Sequence, residues 1–195
     1  MTEPVFALGL LLAWLAGLRA YLTVFGVGLA GLLGWVELPA ALAPCASPWV
    51  LGVSGALALV EFSADKIPGV DSAWDLLQTL LRIPAGAFLA AAALSPDGSL
   101  HGGGLALGAG VALSSHVLKA GTRAVINTSP EPASNWTASL GEDALVAGAL
   151  GLALAWPWVA LAVAVGGVLL IALATWWVVR VVLRGGRRLL GGSAA

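Results

Sequence analysis

Long apolar runs separated by short polar stretches dominate the sequence. Runs of this length are typical of transmembrane helices, because about 20 mostly apolar residues cover the hydrocarbon core of a bilayer. The pattern predicts an all-α, polytopic transmembrane helix bundle that forms a single domain over residues 1–195. Its six predicted spans are 5–34, 49–62, 76–94, 105–126, 140–155 and 159–183, and a basic tail, 184–195, follows them.

The first predicted span is longer than one crossing requires. Arg19 lies inside it, just after Ala16 and Gly17. A helix of this length must tilt or break, and the predicted place for a break is near Gly17. The N-terminus has no basic region ahead of its apolar run, so we interpret this run as a span and not as a cleaved signal peptide.

Composition supports the membrane class. Hydrophobic residues make up 59% of the chain and charged residues 10%, whereas soluble domains carry roughly a quarter charged residues. The lipid bilayer is therefore the first expected partner. The net charge of −1 gives no reason to expect nucleic acid, and the single cysteine, Cys45, excludes an internal disulfide.

Basic residues predict the orientation of the spans. Arg180, Arg184, Arg187 and Arg188 follow or end the last span, and such clusters stay in the cytoplasm. The loops 35–48, 95–104 and 156–158 contain no Lys or Arg. Both termini are therefore expected in the cytoplasm. Tryptophans are expected at the outer interface (Trp35, Trp49, Trp156, Trp158) and at the inner one (Trp74, Trp136, Trp176, Trp177).

Charged residues recur at helical spacing near two of the hairpins. Glu61 and Asp65 are four residues apart, and His116, Lys119 and Arg123 lie at i, i+3 and i+7, so each set shares a helix face. A charge deep in a bilayer costs about 2.5–3.5 kcal/mol and usually turns inward to pair. We expect the acidic and basic faces to meet in a polar core that Arg19 and Arg82 join.

The leading hypothesis is a small transporter or channel for an ion or a small charged solute. Arg19, Arg82, Lys119 and Arg123 supply positive charge along the expected path, and Glu61 and Asp65 balance it. His116, on the same helix face as Lys119 and Arg123, is expected to line the path as well. A short chain needs further copies to enclose a path, so a homo-oligomer is expected. The alternative is a static salt-bridge cluster that fixes helix register, in a non-catalytic membrane scaffold or assembly protein.

The polar loops support two interpretations. Ser72-x-x-Asp75 and Ser139-x-x-Glu142 are typical of capping boxes, which would place Asp75, Glu142 and Asp143 at helix starts. Alternatively, Asp65, Asp71 and Asp75 bind a divalent cation together with a lipid phosphate, as carboxylate oxygens suit hard cations. Only this second hypothesis, an enzyme acting on a lipid phosphate, calls for a cofactor; otherwise we expect neither a cofactor nor catalytic residues.

The sequence also contains a weak internal repeat. Segments 68–91 and 130–153 share the pattern Pro-x3-Ser-x-Trp, which would give two similar hairpins with loops on the same face. Chance similarity remains the alternative. A second pair of similar segments, AGLRA at 16–20 and AGTRA at 120–124, does not fit the same alignment.

Three segments carry a resemblance to a known family. They are AGLRAYLTVF at 16–25, VEFSADKIPGVDSAWD at 60–75, and LKAGTRAVINTSPEPASNW with SLGED across 118–143. Through them the chain resembles an uncharacterised family of small bacterial inner-membrane proteins, known only as a domain of unknown function. The resemblance implies a bacterial inner-membrane location and shared chemistry in the charged loops.

Overall fold

The structure, a computed structural model, describes residues 3–67, 69–95, 98–126, 132–166, 169 and 180. Its described residues are helical and contain no strand, which confirms the all-α prediction. A short 3-10 helix (Ala43–Ala46) precedes the second long helix, and an apolar helix, Pro157–Gly166, follows the fifth. The five long helices are α1 (Glu3–Leu32), α2 (Pro48–Ala64), α3 (Val70–Ala93), α4 (Gly102–Ile126) and α5 (Pro132–Ala155).

Among the described residues, three helical stretches are long and apolar enough to cross a membrane: Val5–Leu32, Ala73–Ala93 and Ala133–Ala155. The prediction of a helical membrane protein is therefore confirmed. The first five predicted spans correspond to α1–α5, although α3 and α5 begin six and eight residues earlier than expected.

The chain divides into two compact units, residues 1–161 and 162–195. Helices α1–α5 belong to the first unit, and the described residues 162–166, 169 and 180 belong to the second. Most of the predicted sixth span and the whole basic tail, with Trp176, Trp177, Arg184, Arg187 and Arg188, lie outside the described residues.

The first unit has two distinct ends, named here for use below. At the tryptophan end, α2 begins and α3 and α5 finish, and Trp35, Trp49 and Trp156 are exposed there. Gly98, after α3, lies beside Ala40, before α2, which shows that these two loops share one end. At the opposite, charged end, α2 finishes while α3 and α5 begin.

Helix α1 is broken at Arg19, whose φ of −144° and ψ of 79° are not helical. The break predicted near Gly17 is therefore confirmed, two residues further along. Before the break, Gly9 packs against Ala90 and Leu94 near the end of α3. After it, Gly28 packs against Cys45 and Leu51 beside the start of α2. The chain thus runs from the tryptophan end towards Arg19 and returns to the same end.

This reversal differs from the single crossing expected of residues 5–34. The segment Glu3–Leu18 rises only about 24 Å at 1.5 Å per residue, less than the roughly 30 Å hydrocarbon core. Arg19 donates a hydrogen bond to the carbonyl of Ser139, which lies seven residues into α5. The break is therefore buried inside the bundle, about 10 Å short of the start of α5.

Glycines let these helices approach closely. A Cβ on Gly108 of α4 would collide with the backbone of α3 at Gly86 and Ala87, and one on Gly17 would collide with the carbonyl of Ala112. Such backbone contact through small residues is typical of helices packed in lipid. The apolar core, which includes Leu12, Leu15, Leu89 and Val146, lies on the tryptophan side of Arg19 and holds the two halves of α1 in place.

Candidate functional site

In the first half of α3, the face that points into the bundle is polar, and the face that points outward is apolar. Asp71, Asp75, Gln78 and Arg82 recur every three or four residues and are all at least 96% buried. Leu76, Leu77 and Leu80, at the same level of the helix, are 63–76% exposed. A soluble helix has the opposite arrangement, so lipid is the solvent that this surface fits.

Nine charged side chains meet inside this apolar shell. Salt bridges of 2.5–3.7 Å connect all of them into one network, which we name the ion-pair cluster. Its members come from all five long helices and from Asp65, the residue that directly follows α2. The cluster consists of the cations Arg19, Arg82, Lys119 and Arg123 and the carboxylates Glu61, Asp65, Asp75, Glu142 and Asp143.

Arg19 anchors the cluster to the break in α1. Its Nη1 lies 2.5 Å from Asp65, and its Nη2 lies 3.1 Å from Asp143 and 3.5 Å from Glu142. Its backbone carbonyl accepts a hydrogen bond of 2.8 Å from the hydroxyl of Thr23. The non-helical backbone therefore places the Arg19 guanidinium among three acids, and the Thr23 hydroxyl donates the hydrogen bond that the Arg19 carbonyl accepts.

Lys119 connects carboxylates that come from three different parts of the bundle. Its ammonium lies 3.2 Å from Asp65 and 3.4 Å from both Asp75 and Glu142. It also donates a hydrogen bond to the carbonyl of Leu18, directly before the break. One side chain of α4 thus connects α2, α3 and α5 and helps to hold the broken backbone of α1.

Arg82 and His116 form the side of the cluster nearest the tryptophan end. Arg82 pairs with Glu61 at 2.5 Å and with Asp75 at 2.7 Å. The imidazole of His116 lies 2.7 Å from the Thr79 hydroxyl and 3.3 Å from the Arg82 guanidinium. His116 therefore contacts the cluster through Arg82 and lies beside it through Thr79. Among the described residues it forms no salt bridge with a carboxylate.

Arg123 mirrors Arg19. It pairs with Glu142 at 3.1 Å and with Asp65 at 3.7 Å, two of the three carboxylates that Arg19 contacts. The similar segments AGLRA and AGTRA therefore have a structural counterpart. Their arginines, Arg19 on α1 and Arg123 on α4, both contact Asp65 and Glu142.

Burial is uneven within the cluster. The four cations are at most 2% exposed, as are Glu61 and Asp65. The side chains of Glu142 and Asp143 are 18% and 21% exposed. Access from outside is therefore greatest at these two neighbouring acids of α5.

The sequence that forms this site also matches a known protein family. Residues 6–180 match the model of a family described as Domain of unknown function (DUF4126). The chain belongs to this family. No curated protein and no solved structure matches it. The expected family resemblance is thus confirmed, and every member of the ion-pair cluster lies inside the matched part of this DUF4126 chain.

The DUF4126 chain does not gather the three aspartates proposed to bind a divalent cation. Asp65 and Asp75 are both occupied by the Lys119 ammonium, and Asp71 accepts a hydrogen bond of 2.9 Å from the Gly69 amide at the start of α3. In the part of the chain that the structure describes, no three His, Cys, Asp or Glu side chains form a group able to hold a metal ion.

The capping-box predictions are wrong for this DUF4126 chain. Helix α3 begins at Val70 and α5 at Pro132, so Asp75, Glu142 and Asp143 lie inside helices and not at their starts. Each of the three pairs with a buried cation instead. Glu142 and Asp143 are therefore site residues that the sequence interpretation assigned to helix capping.

Lys66 lies at the edge of the cluster, near the charged end. Its ammonium donates a hydrogen bond to the carbonyl of Phe62, lies over the Phe62 ring, and reaches the Ser139 hydroxyl. Burial lowers the pKa of Lys66, and attraction to Asp143 only partly opposes this shift. This lysine of the DUF4126 chain thus borders the ion-pair cluster as a partly desolvated cation.

Proposed function

We propose that the protein is a small membrane transporter that carries a cation or a proton through the ion-pair cluster. The observation that carries the proposal is the cluster itself: nine connected charges, built around a broken helix and enclosed by a lipid-fitting surface. We further propose the bacterial inner membrane as its location.

The energetic cost of the cluster supports a function beyond packing. Each charge at depth costs about 2.5–3.5 kcal/mol on insertion scales. Replacing a buried ion pair with apolar residues of similar volume is often neutral or stabilising. Apolar side chains would therefore hold these helices together at lower cost than nine charges.

The balance of charge favours a positive cargo. Each of the four cations already contacts two or more carboxylates within 4 Å, so its positive charge is compensated inside the chain. Four cations against five carboxylates leave one excess negative charge in the cluster. A proton or a single monovalent cation would neutralise it.

The broken helix supports the same proposal. Within a membrane, non-helical backbone is tolerated only where it is buried in protein or lines a cavity. Transporter folds use such discontinuous helices to build substrate and ion sites near the middle of the bilayer. Arg19 combines the two features, since it is the non-helical residue of α1 and also contacts three carboxylates of the cluster.

Flux into liposomes that contain the purified protein tests the proposal. The parent is compared with Glu142→Gln, which alters a partly exposed acid of the cluster, and with Glu37→Gln. Glu37 lies in the exposed loop at the tryptophan end and is the matched control. We expect flux of protons, Na⁺ or K⁺ in the parent and control, and its loss in a Glu142→Gln protein that still folds.

The second candidate is a static scaffold. It is favoured by one observation, that every cation of the cluster is already paired with carboxylates inside the chain. This candidate predicts no flux from any of the three proteins and a lower melting temperature for Glu142→Gln. That outcome would reject the transport proposal.

A further inference from the structure

A cavity of about 470 Å³ opens beside the ion-pair cluster. The second half of α1, α2 and α5 enclose it, and cavities of this size suit small organic molecules. Its walls are mostly apolar, and Leu59 and Phe62 at its rim are 69% and 38% exposed on the lipid-fitting surface. The apolar lining consists of Leu22, Phe25, Gly55, Ala58, Leu59, Phe62 and Ala147.

The charged lining of the cavity comes from three members of the cluster: Arg19, Glu61 and Asp143. Each carboxylate uses one oxygen for a cation: Glu61 Oε1 pairs with Arg82, and Asp143 Oδ1 pairs with Arg19. The second oxygens, Glu61 Oε2 and Asp143 Oδ2, are buried and accept no hydrogen bond from the described residues.

Such an oxygen is an incomplete acceptor. Glu61 is only 1% exposed, so bulk water does not satisfy Oε2, and a buried polar atom without a partner carries a free-energy cost. A ligand that donates a hydrogen bond at this point would recover that cost. The charge facing the cavity selects the sign of the ligand, since two carboxylates outnumber one guanidinium.

We propose that this cavity binds a lipophilic monovalent organic cation. Its N–H groups donate to Glu61 Oε2 and Asp143 Oδ2, while its apolar body packs against Leu22, Phe25 and Ala147. The single positive charge offsets the excess carboxylate. The ligand enters from the bilayer, because the rim lies on the surface that faces lipid.

Other ligand classes fit the cavity less well. A metal ion must exchange its water shell for oxygen ligands, and the walls here are almost entirely apolar. An anionic lipid headgroup would meet two carboxylates and only one guanidinium, Arg19, which is already paired with Asp65. A neutral lipid would fill the apolar part and leave both acceptor oxygens unsatisfied.

The inference rests on the proposed function, since the bound cation would be the transported one. Its test measures binding and requires no transport. Equilibrium binding of ethidium, a fluorescent monovalent aromatic cation with amino donors, is measured on the full chain in lipid nanodiscs. An uncharged phenanthridine of similar size serves as the comparison ligand. We expect saturable ethidium binding and at least about tenfold weaker binding of the neutral compound.

Three variants locate the binding. Asp143→Asn removes one of the acceptor charges, and Ala147→Phe fills the cavity without altering a charge. Ala85→Leu is the matched control, because Ala85 lines a separate apolar cavity of about 270 Å³ between α1, α2 and α3. Ethidium affinity should fall about tenfold or more in the first two variants and stay within about twofold in the control.

The inference is overturned if the parent does not bind ethidium, if the neutral compound binds equally well, or if Ala147→Phe binds like the parent. Because Ala147→Phe retains every charge, it tests whether ethidium binds in this cavity even if Asp143→Asn fails to fold. Ethidium binding without flux of protons, Na⁺, K⁺ or ethidium itself would reject the proposed transport and keep the site. Proton flux without ethidium binding would do the reverse.

Discussion

At the scale of single residues, Lys119 is a buried charge that depends on several ion-pair partners. It is 2% exposed and contacts three carboxylates from three helices. Removing one partner of a buried ion pair leaves an uncompensated charge, which typically costs about 3–5 kcal/mol. The removal of this ammonium would affect Asp65, Asp75 and Glu142 together.

Lys119→Met should therefore lower the free energy of unfolding by about 3 kcal/mol or more. Tryptophan fluorescence during denaturation in mixed detergent micelles measures the change. Lys66→Met is the matched control, because Lys66 lies at the edge of the cluster and forms no salt bridge among the described residues. It should change stability by only about 0.5 kcal/mol. A Lys119→Met protein as stable as this control would show that the cluster contributes little to folding.

Several side chains in and beside the ion-pair cluster could be predicted from residue spacing alone. The acidic pair Glu61 and Asp65 and the basic set His116, Lys119 and Arg123 share helix faces by simple periodicity, and the structure brings both faces together. Gln78 was missed, although it lies on the same face of α3 as Asp75 and Arg82. Its spacing was the available signal, but an uncharged amide gave no reason to expect burial.

The roles of the α5 acids could not be predicted locally. A Ser-x-x-Glu pattern is compatible with the start of a helix and also with its interior. Which of the two positions Glu142 takes depends on cations that are distant in the sequence. Arg19 is more than a hundred residues away in sequence from Asp143, and the two meet only in the folded bundle. Tertiary pairing therefore determined what a local pattern could not.

At the scale of elements, the break in α1 was predictable and its consequence was not. A charge beside Gly17 in an overlong apolar run indicates an interruption, which the structure confirms at Arg19. The direction of the chain after the break depends on which helices pack on each half. Gly9 packs on α3 and Gly28 on the start of α2, and these are contacts that no periodicity encodes.

The contact between α3 and α4 gives a prediction at this scale. A Cβ on Gly108 would meet the backbone of Gly86 and Ala87, which cannot rotate away. Gly108→Val should destabilise the protein by about 1–3 kcal/mol, the usual cost of overpacking. Gly110→Val is the matched control on the same helix, since an added Cβ there meets nothing within 4 Å.

Because valine replaces glycine in both variants, their difference in unfolding free energy removes the effect of helix propensity. Gly110→Val should be neutral within about 0.5 kcal/mol. Equal stability of the two variants in the same micelle assay would contradict the close backbone packing of α3 on α4.

At the scale of the first compact unit, the reversal of α1 changes the expected position of the N-terminus. The basic residues predict that the loops 35–48 and 95–104 face outward, and exposed tryptophans at Trp35, Trp49 and Trp156 fit an interface at that end. Since α1 starts and finishes at this tryptophan end, the N-terminus should lie on the same side of the membrane as loop 35–48, and not in the cytoplasm.

Cysteine labelling in intact spheroplasts tests this placement. In a Cys45→Ser background, Glu3→Cys, Glu37→Cys and Ile67→Cys are each exposed to a membrane-impermeant maleimide. Glu37 lies in the loop at the tryptophan end, and Ile67, 53% exposed, lies in the loop at the charged end. We expect Glu3→Cys to react together with Glu37→Cys, while Ile67→Cys reacts only after the membrane is opened. If Glu3→Cys instead follows Ile67→Cys, residues 5–34 cross the membrane once, and the return of the chain at Arg19 is wrong.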